Sequence, residues 1–359
     1  MAELLFIAPY PHEKNLRDGM VQRVKAVDQL FEEDNRRYLD ISFTAHVFPE
    51  KKQPNPHLTI ISLNFFTGLP YILYCFFNAK TVYCHAMYNF AKVGLFCRPG
   101  NKKVVLDLHG LVPEERKAEG KRWLSWFYSF AEAAAFRRVA MMVCVTERME
   151  QYYRDKYPAF KGRYVKYAIV PENLAGANQS LLTGNAQERV LVIYSGNTQV
   201  WQNIGLMLQT IRNNRLEHVT YLLLTGEPEA MKHQAKAAGL TANDVTILSV
   251  TPAELEQYYA RAHYGFILRD DISVNRVANP TKMIEYLYYG ITPIVKSADI
   301  GDFNDLGYDF VSYKDPFSNF SLKKSTKNMQ IAAEMLKLND KERFKQAVRA
   351  VPGEPAYDN

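Results

Sequence analysis

The chain has 359 residues, enough for two domains with separate cores, and is ordinary in composition at 47% hydrophobic and 23% charged. This excludes a disordered or collagen-like chain, and no membrane span is expected, because the most apolar stretch, "LNFFTGLPYILYCFF", is broken by Gly68 and Pro70. The net charge of +6 is uneven: residues 1–172 carry 25 Lys and Arg against 18 Asp and Glu, the remainder 19 against 20, so an anionic surface or ligand is expected on the first half.

Glu3 interrupts the opening, so "ELLFIAPY" reads as a first strand and no secretory leader is expected. Hydrophobic runs place strands at Leu4–Ala8, Ile41–Val47, Leu58–Ser62, Thr81–Cys84, Val104–Leu108, Met141–Val145 and Val165–Val170. Helical periodicity falls at 20–34, 67–78, 86–97, 121–138 and 147–157. Cys75, Cys84, Cys97 and Cys144 form no C-x-x-C pair and sit in apolar contexts, which predicts buried, reduced thiols in a cytosolic protein. The polar stretch "PENLAGANQSLLTGNAQE" (171–188) reads as a linker.

The rhythm then restarts. Strand "RVLVIYSG" is followed by helix 203–213, strand "VTYLLLTG", helix 227–239, strand "VTILSV", helix 252–261 and strand "YGFIL". Such alternation predicts an α/β chain of two Rossmann-like, doubly wound domains, 1–172 and 188–339, facing across a cleft between the carboxyl ends of their strands. No G-x-G-x-x-G follows the first strand of either half, which argues against a dinucleotide-binding oxidoreductase. The segment "NRVANPTKMIEYLYYGITPIV" (275–295) reads as loop, helix and strand, with Asn279 as N-cap, Pro280 first in the helix and Gly290 ending it. Met283, Ile284, Leu287 and Tyr288 make an apolar stripe; Thr281, Lys282, Glu285 and Tyr289 lie on another face. A helix N-terminus bearing a hydroxyl and a lysine is a seat for phosphate, and a carboxylate one turn on suits sugar hydroxyls. The alternative is a surface helix with its Lys and Glu in water.

Two such domains with "PTK…E…YG" late in the second resemble the GT-B-fold glycosyltransferases, in particular the retaining "group 1" family that uses nucleoside-diphosphate sugars. The resemblance covers nearly the whole chain. It implies that Glu285 holds ribose hydroxyls and that Pro280, Thr281 and Lys282 face the diphosphate. "VIYSGNTQVWQNIG" matches the family's Gly-containing turn at Ser195–Gly196, placing Gly196 and Asn197 at the donor. "NLRDGMVQRV" resembles its glycine-containing loop after the first strand, which puts Gly19 by the donor phosphates. In "VVLDLHGLVPEE" the resemblance implies that His109 faces the donor sugar; the alternative is a structural imidazole. Asp107 is expected to point away from His109 and is ranked below it. His85, in "TVYCHAMYN", also ends a strand. Trp201 and Gln202 would contact the base or sugar, or else pack a helix.

The chain departs from the family in two places. Eight before Glu285, where the family often has a first glutamate, stands Val277, and "VIYSGNTQVWQNIG" lacks the usual Arg and Lys. Arg269, Arg276 and Lys282 remain as cations, of which Arg269 and Lys282 are expected at the leaving diphosphate unless Arg269 pairs with Asp270 or Asp271. No Asp-x-Asp stands nearby, so transfer of a hexosyl-type sugar is expected to need no metal or other cofactor.

His109, Arg269 and Lys282 are thus the catalytic candidates. The expected partners are a nucleotide-sugar donor and a glycan or lipid-linked acceptor, with no nucleic acid. Helix "KRWLSWFYSFAEAAAFRRVA" (121–140) would lie on an anionic membrane or serve as a core helix with solvated ends. Surface polysaccharide or glycolipid assembly in bacteria, by a cytoplasmic enzyme at the inner face of the membrane, is the expected setting. The alternatives are a GT-B-type nucleotide-sugar epimerase and an inactive glycosyltransferase-like subunit. By the same resemblance, the C-terminal helical stretch, 340–359, returns to complete the first domain.

Overall fold

The computed structural model describes residues 4–12, 19–97, 103–169, 174, 188–251 and 254–350. The linker reading at 171–188 and the loop at 13–18 therefore lie almost wholly outside the described residues. The chain divides into two compact units, Met1–Ile169 with Asp340–Asn359, and Val170–Asn339.

The first unit runs β1 (Leu4–Ile7), α1 (Gly19–Leu30), β2 (Arg36–Ser42), β3 (Glu50–Asn55), β4 (Leu58–Asn64), α2 (Leu69–Asn78), β5 (Thr81–His85) and α3 (Ala86–Val93). It continues through β6 (Lys103–Asp107), α4 (Val112–Ala118), α5 (Arg122–Arg138), β7 (Met141–Cys144), α6 (Glu147–Lys156) and β8 (Arg163–Lys166). Its sheet has the order β3-β4-β2-β1-β5-β6-β7-β8, parallel except where β3 runs against β4. Strands such as β1, "LLFI", and β7, "MMVC", are buried along their whole length because helices cover both faces.

The second unit comprises β9 (Val190–Ser195), α7 (Ile204–Asn213), β10 (Val219–Leu224), α8 (Pro228–Ala237), β11 (Thr246–Leu248), α9 (Leu255–Tyr259) and β12 (Tyr264–Ile267). After these come α10 (Ser273–Arg276), α11 (Thr281–Tyr288), β13 (Thr292–Val295), β14 (Val311–Ser312) and α12 (Thr326–Leu338). Its six strands are all parallel, in the order β11-β10-β9-β12-β13-β14. The last helix, α13 (Lys341–Arg349), belongs to the first unit: Phe344 stacks on Tyr167 at 4.0 Å, and Arg349 meets Asp34 at 2.5 Å. In each sheet the strand order reverses beside the first strand, between β1 and β5 and between β9 and β12, and crevices at such points receive ligands.

Several local expectations are corrected. The second strand is Arg36–Ser42 rather than Ile41–Val47, its polar start disguised by a buried ion pair, Arg36 Nε to Asp28 Oδ1 at 2.6 Å. β3 went unread because "EKKQPN" is an exposed edge strand with no apolar alternation. Pro280, rather than Asn279, is the N-cap of α11, and Tyr286, rather than Tyr288, completes its buried stripe with Met283, Ile284 and Leu287. Tyr289 is also buried. Gly290, at φ +64°, ends the helix in the left-handed region that favours glycine. All four cysteines are free and buried. Among the described residues no helix is long and apolar enough to cross a membrane.

Candidate functional site

In the second unit the residues gather at the carboxyl ends of β9 and β12. The chain leaves β9 at Ser195 and turns through Gly196, whose φ is +150°; a Cβ there would stand 2.9 Å from both Lys282 Nζ and Tyr194 Oη. Only glycine lets the backbone turn this close to the lysine. Tyr194 Oη donates to the Asn197 carbonyl at 2.6 Å, while the Asn197 amide bonds Gln199 at 2.9 Å. Asn203, itself at φ +52°, donates to the Leu268 carbonyl at 2.6 Å and so ties this turn to the end of β12.

Arg269 follows Leu268 directly and is held by Asn275 Oδ1 at 3.2 Å rather than by a carboxylate. The neighbouring acids are engaged elsewhere: Asp270 pairs with Lys296, and Asp271 with Arg276. Arg276, exposed and also 3.5 Å from Asp299, thereby drops out as a site cation. Lys282 comes from the first turn of α11. Its ammonium lies 4.1 Å from the centre of the Tyr194 ring and 3.3 Å from Gln202 Oε1. Among the described residues neither Arg269 nor Lys282 has an ion-pair partner.

Both side chains keep some exposed area, but protein atoms crowd their charged heads. Burial pulls the Arg269 guanidinium down to about 10. Burial, and then the Arg269 charge, pull the Lys282 ammonium down to about 7. The Glu285 charge opposes the shift at Lys282 but forms no ion pair with it, so two crowded cations stand beside a helix start that has no side-chain cap, an arrangement suited to an anion. Thr281 opens this helix at the same end.

Glu285 lies one turn on and accepts from Tyr259 Oη at 3.1 Å. The Tyr259 proton is committed to that carboxylate, so Ser195 Oγ, 2.6 Å from Tyr259 Oη, donates its own proton to the tyrosine. This chain of bonds links the β9 turn to α11 and fixes the carboxylate's orientation. Tyr194 and Tyr259 were absent from the sequence reading, because periodicity along β9 and α9 marks them only as core, and Ser195 entered it only as part of the turn. Trp201 is about half exposed, while Gln202 is the lysine's partner.

The first unit holds a second constellation at its own switch point. Residues two apart on an extended chain share a face, so Asp107 at the end of β6 and His109 just past it project to the same side and meet, His109 Nε2 lying 3.1 Å from Asp107 Oδ2. That corrects the ranking of Asp107 as an outward residue. Arg23 of α1 grips the same carboxylate, Nη2 to Oδ1 at 2.6 Å and Nε to Oδ2 at 2.9 Å, and also bonds the Tyr167 carbonyl at 3.0 Å. Burial alone would raise the Asp107 carboxyl, but the Arg23 charge and the hydrogen bond from His109 outweigh it and hold the group well below the usual carboxylate range.

His85, wholly buried, brings Nδ1 within 3.3 Å of Asp107 Oδ2, and burial lowers its pKa to about 4. Donor atoms of His85, Asp107 and His109 lie within 4.8 Å of one another, a spacing that suits a metal ion. The Arg23 guanidinium already on Asp107 opposes that use, since a divalent cation would share one carboxylate with a buried positive charge. Gly19 begins α1, where a Cβ would meet open space, and the loop preceding it lies outside the described residues.

No protein-family model matches the chain, and no curated protein matches it. Solved structures do. A sucrose-phosphate synthase from Thermosynechococcus elongatus superposes with a TM-score of 0.66 at 13% identity, covering 97% of this chain and 100% of that one. HepE of Anabaena, in complex with UDP and glucose, gives 0.65 at 12% identity, over 98% and 100% of the two chains. An alpha,alpha-trehalose-phosphate synthase (UDP-forming) from Burkholderia vietnamiensis gives 0.65 at 10%, over 98% of each. At such identities the likeness is one of architecture. The chain has the GT-B fold of glycosyltransferases, built from two Rossmann-like domains.

Proposed function

We propose that the protein transfers a sugar from a nucleoside-diphosphate sugar to an acceptor hydroxyl, with UDP as the nucleotide. The observation that carries this reading is the Arg269–Lys282 pair, whose lysine crowds Gly196 from the first turn of α11 and which has no ion-pair partner among the described residues. The base follows the similar structures, which include complexes with UDP and UDP-glucose. Arg269, Lys282 and the helix start would stabilise the charge that grows on the leaving diphosphate, which is the work a metal does in other transferases. Glu285, oriented by Tyr259, would accept from the ribose hydroxyls. Pro280 and Thr281 shape the phosphate end of the helix, and Asn197 the turn facing it. In the first unit His109 would meet a sugar hydroxyl. Retention of anomeric configuration is part of the proposal: the sites described offer no carboxylate nucleophile, and the diphosphate itself would take the acceptor's proton as that hydroxyl attacks from the same face.

The acceptor side points to a membrane. On α5, Trp123, Trp126, Phe127 and Phe130 form one stripe at helical spacing, and all four are exposed, with Trp126 at 74%. They do not pack the core. The buried residues of α5 are Glu132, paired with Lys156 at 2.7 Å, Ala135 and Phe136. Lys121, Arg122 and Arg137 flank the stripe and are exposed. Aromatic residues between basic ends suit an anionic lipid surface, so we read the protein as a peripheral enzyme that acts on a lipid-linked or surface glycan.

The deciding experiment is a thermal-shift screen against UDP, GDP, ADP, CDP and dTDP. UDP at a hundred times its Kd should add about 2.7 kcal/mol and raise Tm by several degrees, and Lys282→Met should remove the shift. No shift with any of the five would refute the reading.

A further inference from the structure

We propose that Asp107, clamped by Arg23, is a positioning residue that locks His109 with Nε2 protonated and Nδ1 bare, leaving Nδ1 to accept a hydrogen bond from a sugar hydroxyl. That the hydroxyl belongs to a sugar rests on the transferase reading; the lock itself rests on geometry.

Asp107 has no exposed surface and is ionised beside Arg23, so it can only accept hydrogen bonds. The imidazole nitrogen 3.1 Å away must therefore carry the proton. A second proton on Nδ1 would give that atom a donor with nowhere to go, because it is buried and has no hydrogen-bond partner among the described residues. The state that satisfies both nitrogens is the neutral ring with Nε2–H on Asp107 and a lone pair at Nδ1. A hydroxyl satisfies that lone pair, since it offers a proton and asks for little room.

The clamp is over-determined. Arg23 reaches Asp107 from α1, 84 residues away in sequence, and is fixed in turn by the Tyr167 carbonyl. His85 fills the remaining side, its ring 5.6 Å from that of His109 and stacked on Phe6 at 5.5 Å. The residue after His85, Ala86, is held at φ +62°, a left-handed conformation that is strained for a non-glycine residue. Strain of this kind persists where the surroundings dictate it. Here it turns the chain sharply out of β5 into α3 and keeps the His85 ring against the carboxylate.

The test is a long-range nitrogen–proton correlation spectrum of the full-length protein labelled at histidine nitrogens, with His109 assigned from the signals lost in His109→Gln. A protonated Nε2 and an unprotonated Nδ1 are expected. The opposite tautomer, or a mixture, overturns the lock. The second arm is Arg23→Met combined with Asp107→Leu, which removes both charges together and leaves neither buried alone. It should keep the fold and UDP binding, show a mixed His109 tautomer, and lose about 10²-fold in kcat with donor KM nearly unchanged. Unchanged kcat with a scrambled tautomer would also overturn the proposal. If wild type turns over no nucleotide sugar, the transferase reading fails, while the spectrum still decides the lock.

Discussion

Raising the pH should weaken UDP binding, and the size of the effect follows from the surroundings of Lys282. In the free protein burial and Arg269 lower its pKa to about 7. A diphosphate beside it favours the ammonium, so the complex binds a proton that the free protein has lost. Affinity then falls as 1 + 10^(pH − 7), about 50-fold between pH 7 and 9, or roughly 2.3 kcal/mol. The terminal phosphate of UDP, with its second ionisation near 6, is already charged across that window and adds little slope. Calorimetry in buffers of different ionisation enthalpy should show about 0.9 proton taken up per UDP at pH 8. Without ligand the sign reverses. The folded pKa lies below the lysine's unfolded value, so the unfolded chain binds more protons between about pH 7 and 10.5, and this group makes the free protein more stable as pH rises through that range. Lys282→Met should accordingly raise the Tm of the free protein at pH 7 while weakening UDP binding and flattening its pH dependence. A Kd that is constant from pH 7 to 9, with no proton uptake, would refute the reasoning.

Three other outcomes are expected. Gly196→Ala should weaken UDP binding more than tenfold by titration, because the added methyl meets Lys282 Nζ and Tyr194 Oη at 2.9 Å and the backbone sits at φ +150°; unchanged affinity would show that the turn does not face the ligand. Glu285→Gln should weaken UDP by about 1.5–3 kcal/mol while leaving pyrophosphate binding intact, since the lost charge-assisted bonds are to the ribose. Equal losses for both ligands would move Glu285 away from the ribose. Trp123→Ala with Trp126→Ala should reduce co-sedimentation with vesicles rich in anionic lipid, whereas neutral vesicles should bind neither protein; retained binding would remove the α5 stripe from the interface.

Much of the architecture was legible in the sequence because it is a matter of local pattern. Alternating apolar runs of strand and helix length give parallel sheets with helices on both faces, and the stop at Gly290 reads directly from its type. Lys282 and Glu285 share one helix, so four-residue geometry and the helix start marked them as candidates together. The edge strand β3 was not legible, since pairing with β4 stabilises it without burying any of its residues. Nor was β2, where Arg36 carries a charge that only Asp28 makes tolerable in the interior.

The chemistry of both sites was decided by tertiary structure. The sequence offers Arg269 two adjacent aspartates, yet Lys296 and Arg276 take them, and the arginine is left beside a lysine. A pKa of about 7 for Lys282 comes from crowding by Tyr194, Gln202 and Arg269, residues spread over 75 positions that meet only at the ends of β9 and β12. Asp107 and His109 stand two apart, so the strand period already puts them on one side; what the sequence hides is Arg23, 84 residues away, which takes the same carboxylate. Periodicity reports which face a residue prefers. Which charge meets which depends on where distant strands stop, and only the folded chain settles that.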